Sequence, residues 1–327
     1  MIVANKIQSK KIGKIVKTLE FLPSFYEREF LTIDSALKME MLFYSVGICH
    51  QTYHLANPKL NLYGWDFLEY GFLDLMKNAP ALLDSAQILK LSQQQLIEKI
   101  KPFFAQDNNP EKCTLDRLSE RADLWLDMAK ILQKHFDGKI EKLFGGAPEA
   151  QEAEDFYKPL RLFEAYSDPL QKKSSFFLKL VSDSRLIHLN QLKNVIPIMD
   201  YHMQRVLLRT GCVEIKDEKL KSALQLRTPI SDDTAIRQAC IEAMRIIADV
   251  SKMHIFKMND VFYTLGRSCC NETMLCSHQT CEKTPCSLTR AIRLEHHDSC
   301  IFQSVCFGAK NETYRSYWQP IVNTHFY

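Results

Sequence analysis

Two groups of residues in this sequence have types and spacings that could do chemistry. The first is a run of thiols: seven of the eleven cysteines lie between Cys269 and Cys306, at positions 269, 270, 276, 281, 286, 300 and 306. The stretch that carries them is polar and turn-rich, too poor in apolar residues to build a core of its own, so something other than packing must hold it. Disulfides need an oxidising compartment, and the beginning of the chain, MIVANKIQSKK, lacks the apolar run and cleavage site of a secretory signal. Metal is therefore the expectation. The paired C-x-x-C knuckles of a structural zinc site are missing, whereas an iron–sulfur cluster tolerates uneven gaps because four thiolates need only converge on it. The spacing favours an iron–sulfur cluster of 4Fe–4S type on four of the six thiols Cys270, Cys276, Cys281, Cys286, Cys300 and Cys306. Two quartets serve equally: Cys281, Cys286, Cys300 and Cys306, or Cys270, Cys276, Cys281 and Cys286. Zinc is the alternative, kept open by His278, His296 and His297.

The second group centres on one acid. In IPIMDYHMQRVLLRTG, Asp200 stands between an apolar stretch and a helical pattern carrying Arg205 and Arg209. An acid at such a junction is first of all an N-cap, its carboxylate accepting from the orphan amides of the first turn at the positive end of the helix dipole. A carboxylate fixed there can also stabilise developing positive charge or orient an attacking water.

The elements that must position these groups read as helices. Only 10 glycines and 12 prolines interrupt 327 residues that are 46% hydrophobic, and most segments repeat apolar residues every three or four positions rather than alternating. An all-α fold is expected. Its clearest helix is LDRLSERADLWLDMAKILQKHF, with Leu115, Leu118, Ala122, Trp125, Leu126, Ala129 and Leu132 on one stripe. Further helices are expected at Ser35–Leu55, Trp65–Lys77, Ser92–Phe104, Asp168–Leu180, Tyr201–Thr210 and Asp233–Ser251. FGGAPEAQEAED reads as a linker, which gives three parts: 1–147, 148–266 with the acid, and 267–327 with the thiols. A net charge of +3 is too small to mark a nucleic-acid binder, and Lys6, Lys10, Lys11, Lys14 and Lys17 read as a solvated helix face. No apolar run is long enough to span a bilayer, so a cytoplasmic protein without a membrane partner is expected.

An acid closing an apolar segment before an Arg-bearing helix, with a compact cysteine cluster downstream, resembles the helix-hairpin-helix superfamily of DNA glycosylases. IPIMDYHMQRVLLRTG is similar to that family's proline-apolar-Asp-x-His-x-x-Arg-Val pattern, and CIFQSVC to the end of its iron–sulfur loop. The stretch matching its glycine-rich hairpin, SDPLQKKSSFFLKLV, has no glycine. A longer resemblance is to the queuosine salvage proteins, queuosine 5′-phosphate N-glycosylases on a DNA-glycosylase-like fold. SERADLWLDMAKILQKHFDGKIEKL resembles their mid-chain helix, DYHMQRVLLRTGCVEIKDEKLKSAL their Asp-Tyr segment and following helix, and AIRQACIEAMRII their Ile-Arg helix. GICHQTYHL and LYGWDFLEYGFLDLM fall where that family has its pocket segment and an aromatic-rich helix. CHQTYH stands in place of an Asn-Phe-x-Phe-Trp-like segment there, and the cysteine block is an addition.

These resemblances imply an N-glycosidase that releases the base from a modified, queuosine-type 7-deazaguanine nucleoside or its 5′-phosphate, with Asp200 as the catalytic carboxylate. The runner-up is an iron–sulfur DNA glycosylase acting on a damaged base, with nucleic acid in place of the small molecule. A flat base needs stacking surfaces and edge hydrogen bonds. The implied contacts are His50, Gln51, Thr52 and Trp65, with Tyr201 stacking and Arg205 meeting a phosphate. Lys173, beside Lys172, falls where a bifunctional glycosylase carries an amine nucleophile, although two solvated helix lysines are the plainer reading.

Overall fold

The computed structural model describes residues 1–145, 152–187, 192–281 and 283–327. It is mostly helical, 59% helix against 6% strand, as the sparse glycines and proline-free stretches imply. Two compact units emerge: Met1–Phe25 with Ile196–Asn323, and Tyr26–Val195 with Thr324–Tyr327. The chain therefore does not divide near 147, and residues 146–151 of the expected linker lie outside the described residues. The reason is pairing across the sequence. Ile2–Ala4 runs antiparallel to Val213–Ile215, with Ile2 opposite Ile215, and Asn5 N donates to the Cys212 carbonyl at 2.8 Å.

In the first unit, Asn5 caps the helix Lys6–Val16, which buries Ile12, Gly13 and Val16 and leaves all five of its flanking lysines exposed. Gly13 lets this helix lie close to the helix Thr234–Ser251, since a Cβ there would sit 2.9 Å from the Val250 Cβ and 3.1 Å from the Ile247 carbonyl. The helix Tyr201–Thr210 is buried along every residue from Met203 onward. It stops at Gly211, whose φ of +78° favours glycine and whose missing Cβ makes room for Phe307.

In the second unit, the helix Lys38–Gly47 forms the centre and is buried at all but one of its ten positions. Aromatic rings pack round it: Phe43 stacks on Tyr166 at 5.2 Å, Tyr44 on Trp125 at 5.5 Å, and Trp125 in turn on Phe72 at 5.3 Å. The helices Trp65–Asn78, Gln93–Ile100, Leu118–Phe136 and Lys172–Asp183 complete the unit's main scaffold. The expected helix Ser35–Leu55 is shorter than its apolar pattern, because the chain leaves the helix after Gly47 and the buried guanidinium of Arg121 takes the carbonyls of Ile48 and His50. Among the described residues, no helix is long and apolar enough to cross a membrane.

Candidate metal centre and the Asp200 helix

The cysteine-rich segment lies wholly within the first unit. Cys269, Cys281, Cys286 and His297 bring their sulfur and imidazole nitrogen atoms within 4.8 Å of one another, a group that could hold a metal ion. The Cys269 sulfur is 3.4 Å from that of Cys286, 4.0 Å from that of Cys281 and 3.9 Å from His297 Nε2. The hydrogen bond from Cys269 draws the Cys286 thiol down to about 4, despite burial, with the Ser268 hydroxyl acting in the same direction. Cys269 itself is driven far upward by Cys286 and by burial, so without metal one of the two keeps its proton.

Neither expected quartet is gathered as tightly as this group among the described residues. Of the six thiols singled out in the sequence, Cys281 and Cys286 enter this group. Cys270, Cys276, Cys300 and Cys306 line a recess that Cys269 also borders, together with Arg209 and Phe302. Burial, then the charges of Cys270 and Cys276, push the Cys306 thiol up to about 12, and Cys300 is raised in the same way by burial, Cys270, Cys306 and Cys276. Cys269 and His297 were missed as members of this group. Cys269 is masked in the sequence by its immediate neighbour Cys270, and His297 by two nearby histidines.

Asp200 stands at the start of the buried helix beside this segment. Its Oδ1 accepts from Met203 N at 3.0 Å, the expected cap, while Oδ2 lies 3.2 Å from His202 Nδ1. Only 8% of the residue is exposed. The His202 ring packs on Tyr201 at 4.1 Å and edge-on to Tyr263 at 5.2 Å, and Gly266 allows the close approach, since a Cβ there would meet the His202 carbonyl at 2.7 Å. Burial pulls His202 down to about 4 even though Asp200 favours its cation, so the ring is neutral at pH 7 and Nδ1 carries the proton given to the carboxylate.

This sets a pH window. Between the ordinary imidazole value of 6.5 and about 4, the unfolded chain takes up a proton that folded His202 refuses. The stability that comes from keeping this ring neutral is thus complete above 6.5 and is lost as the pH falls towards 4. Relative to His202→Gln, the wild type should lose roughly 2 kcal/mol across that window in urea melts. Parallel curves for the two proteins would refute it.

The helix is tied to the metal segment by its two arginines. Arg205 donates from Nε to the Cys270 carbonyl at 3.0 Å and from Nη2 to the Gly266 carbonyl and Asn271 Oδ1, with Nη1 on Gln319. Arg209 gives Nη1 to the carbonyls of Cys270 and Asn271, at 3.0 and 2.9 Å, and Nε to that of Tyr317. Trp318 lies under both guanidinium groups, 4.3 Å from Arg205. Arg205 is thus committed to holding the loop rather than offered to a phosphate.

The remaining expected contacts lie in the second unit. His50 is fully buried, and its pKa is depressed well below the ordinary value by burial, then by Lys173 and Arg121; its Nε2 is 3.3 Å from Glu120. Gln51 adopts φ +44° and accepts from Arg117 at 2.7 Å, Thr52 is buried, and Trp65 packs against Phe30 and Phe176 with its indole N–H on Glu69. Lys172 and Lys173 are not solvated: both are buried, Lys172 pointing Nζ at Cys49 Sγ (3.4 Å) and Lys173 at the Gly47 carbonyl (2.5 Å). Burial lowers Lys173 to about 7.

No protein-family model matches this chain, and no curated protein matches it either. The resemblance to glycosylases therefore stands on the residue patterns alone.

Proposed function

We propose that the protein is an N-glycosidase on a helical scaffold of the DNA-glycosylase, helix-hairpin-helix type, and that it hydrolyses a queuosine-type 7-deazaguanine nucleoside or its 5′-phosphate. The observation that supports this best is the setting of Asp200: a carboxylate at a buried helix start, aimed by one backbone amide and one neutral imidazole. Leaving-group departure builds positive charge on the sugar, and a preorganised carboxylate stabilises that charge without reorganising. Water then adds its hydroxyl to the anomeric carbon while its proton goes to the departing base, which keeps the electron pair of the broken bond.

In the same reading, an iron–sulfur cluster of 4Fe–4S type sits on Cys270, Cys276, Cys300 and Cys306. These four thiols and Cys269 line one recess, Arg209 Nη1 lies 3.7 Å from the Cys270 sulfur, and a cationic donor there offsets the charge of a thiolate-bound cluster. The cluster acts as a staple. Through Arg205 and Arg209 it fixes the helix that begins at Asp200.

An oligonucleotide substrate is less well supported. The turn where a helix-hairpin-helix protein offers amides to a DNA phosphate is filled here by Asp168, whose carboxylate accepts from Leu170 N at 3.0 Å and Lys172 N at 2.8 Å. A phosphate would meet a negative charge.

The test is chromatographic detection of free base after incubation with queuosine and its 5′-phosphate, beside oligonucleotides carrying damaged bases. Release from the small molecules supports the reading. Release from the oligonucleotides alone, falling steeply with salt, replaces it with the DNA reading, and no release from either refutes both.

A further inference from the structure

We infer that the cysteine-rich segment holds two metal centres of different chemistry, the second being a single zinc ion on Cys269, Cys281, Cys286 and His297. The inference is independent of the glycosidase reading, and only its iron arm rests on the cluster assigned to Cys270, Cys276, Cys300 and Cys306.

Distance separates the two sets. In a tetrahedral zinc site with Zn–S near 2.3 Å, neighbouring ligand atoms stand about 3.8 Å apart. The contacts from Cys269 are 3.4, 4.0 and 3.9 Å and all four atoms lie within 4.8 Å of one another, spacings that one tetrahedral ion can bridge. A cluster interposes several irons and sulfides and needs its thiolates further apart than one ion does, and the four outer thiols form no such single-ion group among the described residues. Three thiols and an imidazole are moreover a ligand set that suits zinc, whereas four thiols suit zinc or a cluster equally.

His297 faces the group through Nε2, which stands 3.9 Å from the Cys269 sulfur and is the ring atom placed to bind the ion. The Ser268 hydroxyl, 3.3 Å from Cys286 Sγ and 3.7 Å from Cys269 Sγ, stands where a ligating sulfur is commonly supported from outside.

The two sets interleave along the chain. Cys269 and Cys270 are consecutive yet belong to different sets, and Cys281, Cys286 and His297 all fall between Cys276 and Cys300. The outer set reads as two matching pairs, Cys270-x5-Cys276 and Cys300-x5-Cys306, with the inner site folded between them.

The experiment is elemental analysis of zinc, iron and acid-labile sulfide on the anaerobically purified full-length chain and three variants. About one zinc per chain is expected beside the iron, as four ligands close one structural site. His297→Ala should lose that zinc and keep the iron and visible absorbance, while Cys300→Ser should do the reverse. His297→Cys should retain zinc, which covers the case in which the alanine variant does not fold. Zinc with no iron would sustain the zinc site alone and overturn both the cluster reading and the pairing of two centres. A wild type without zinc, or zinc lost with Cys300→Ser and kept with His297→Ala, would overturn the inference.

Discussion

Asp200→Asn should reduce base release by roughly 10³-fold, mostly in kcat and with little change in KM, because the lost charge matters only once the sugar becomes cationic. The amide is a sharp probe because it separates two roles of one side chain. Its oxygen can still accept from Met203 N, the cap bond that Asp200 makes at 3.0 Å, so the fold should hold to within about 0.5 kcal/mol. Asp200→Ala would remove cap and charge together and should cost about 1 kcal/mol of stability besides the activity. Full activity in the asparagine variant would reduce Asp200 to a helix cap and end the glycosidase reading of this residue.

Lys173→Met should stabilise the protein at neutral pH, by about 3 kcal/mol. Folding takes this ammonium from water into a site where its amine reaches the Gly47 carbonyl and its pKa falls from 10.5 to about 7. A displacement of that size is worth about 5 kcal/mol at most, and the lost hydrogen bond offsets part of the gain. The sign with pH is definite. At and below about 7 the folded state carries most or all of the cost. Between 7 and 10.5 the unfolded chain holds a proton that the folded one has shed, so wild-type stability climbs with pH, and above 10.5 only the hydrogen bond to Gly47 should separate the two proteins, in favour of the wild type. Denaturant melts of both proteins from pH 6 to 10 check this. A constant gap would mean that the amine is not depressed. A stabilised but inactive variant would show that the chain retains a costly lysine for chemistry.

Much of the local structure was legible because it is set by neighbouring residues. The helix Tyr201–Thr210 has the bounds its pattern implies, with Asp200 before it and Gly211 after it, and Trp65–Asn78 exceeds its expectation by one residue. What failed depends on partners far along the chain. The helix expected to reach Leu55 ends at Gly47 because Arg121, more than seventy positions away, claims the carbonyls beyond it. Lys172 and Lys173 read as surface residues until the helix that carries them is seen to be buried on nearly every side. The thiols were legible as a segment that could hold metal, but not which of them gather. Spacing cannot show that Cys269, rather than its neighbour, turns towards Cys286 and His297, because consecutive side chains diverge by backbone geometry alone.

The pairing of Ile2–Ala4 with Val213–Ile215 has a consequence for synthesis. Translation delivers the strand Ile2–Ala4 more than two hundred residues ahead of its partner Val213–Ile215, whereas Tyr26–Val195 emerges as one continuous block. Domains generally fold as units while the chain is still being made, so that block can condense early. The leading helix meanwhile waits with Ile12 and Val16 uncovered, since the helix Thr234–Ser251 that accepts them leaves the ribosome later still. Its exposed lysines give the waiting segment a charge that keeps nascent copies apart.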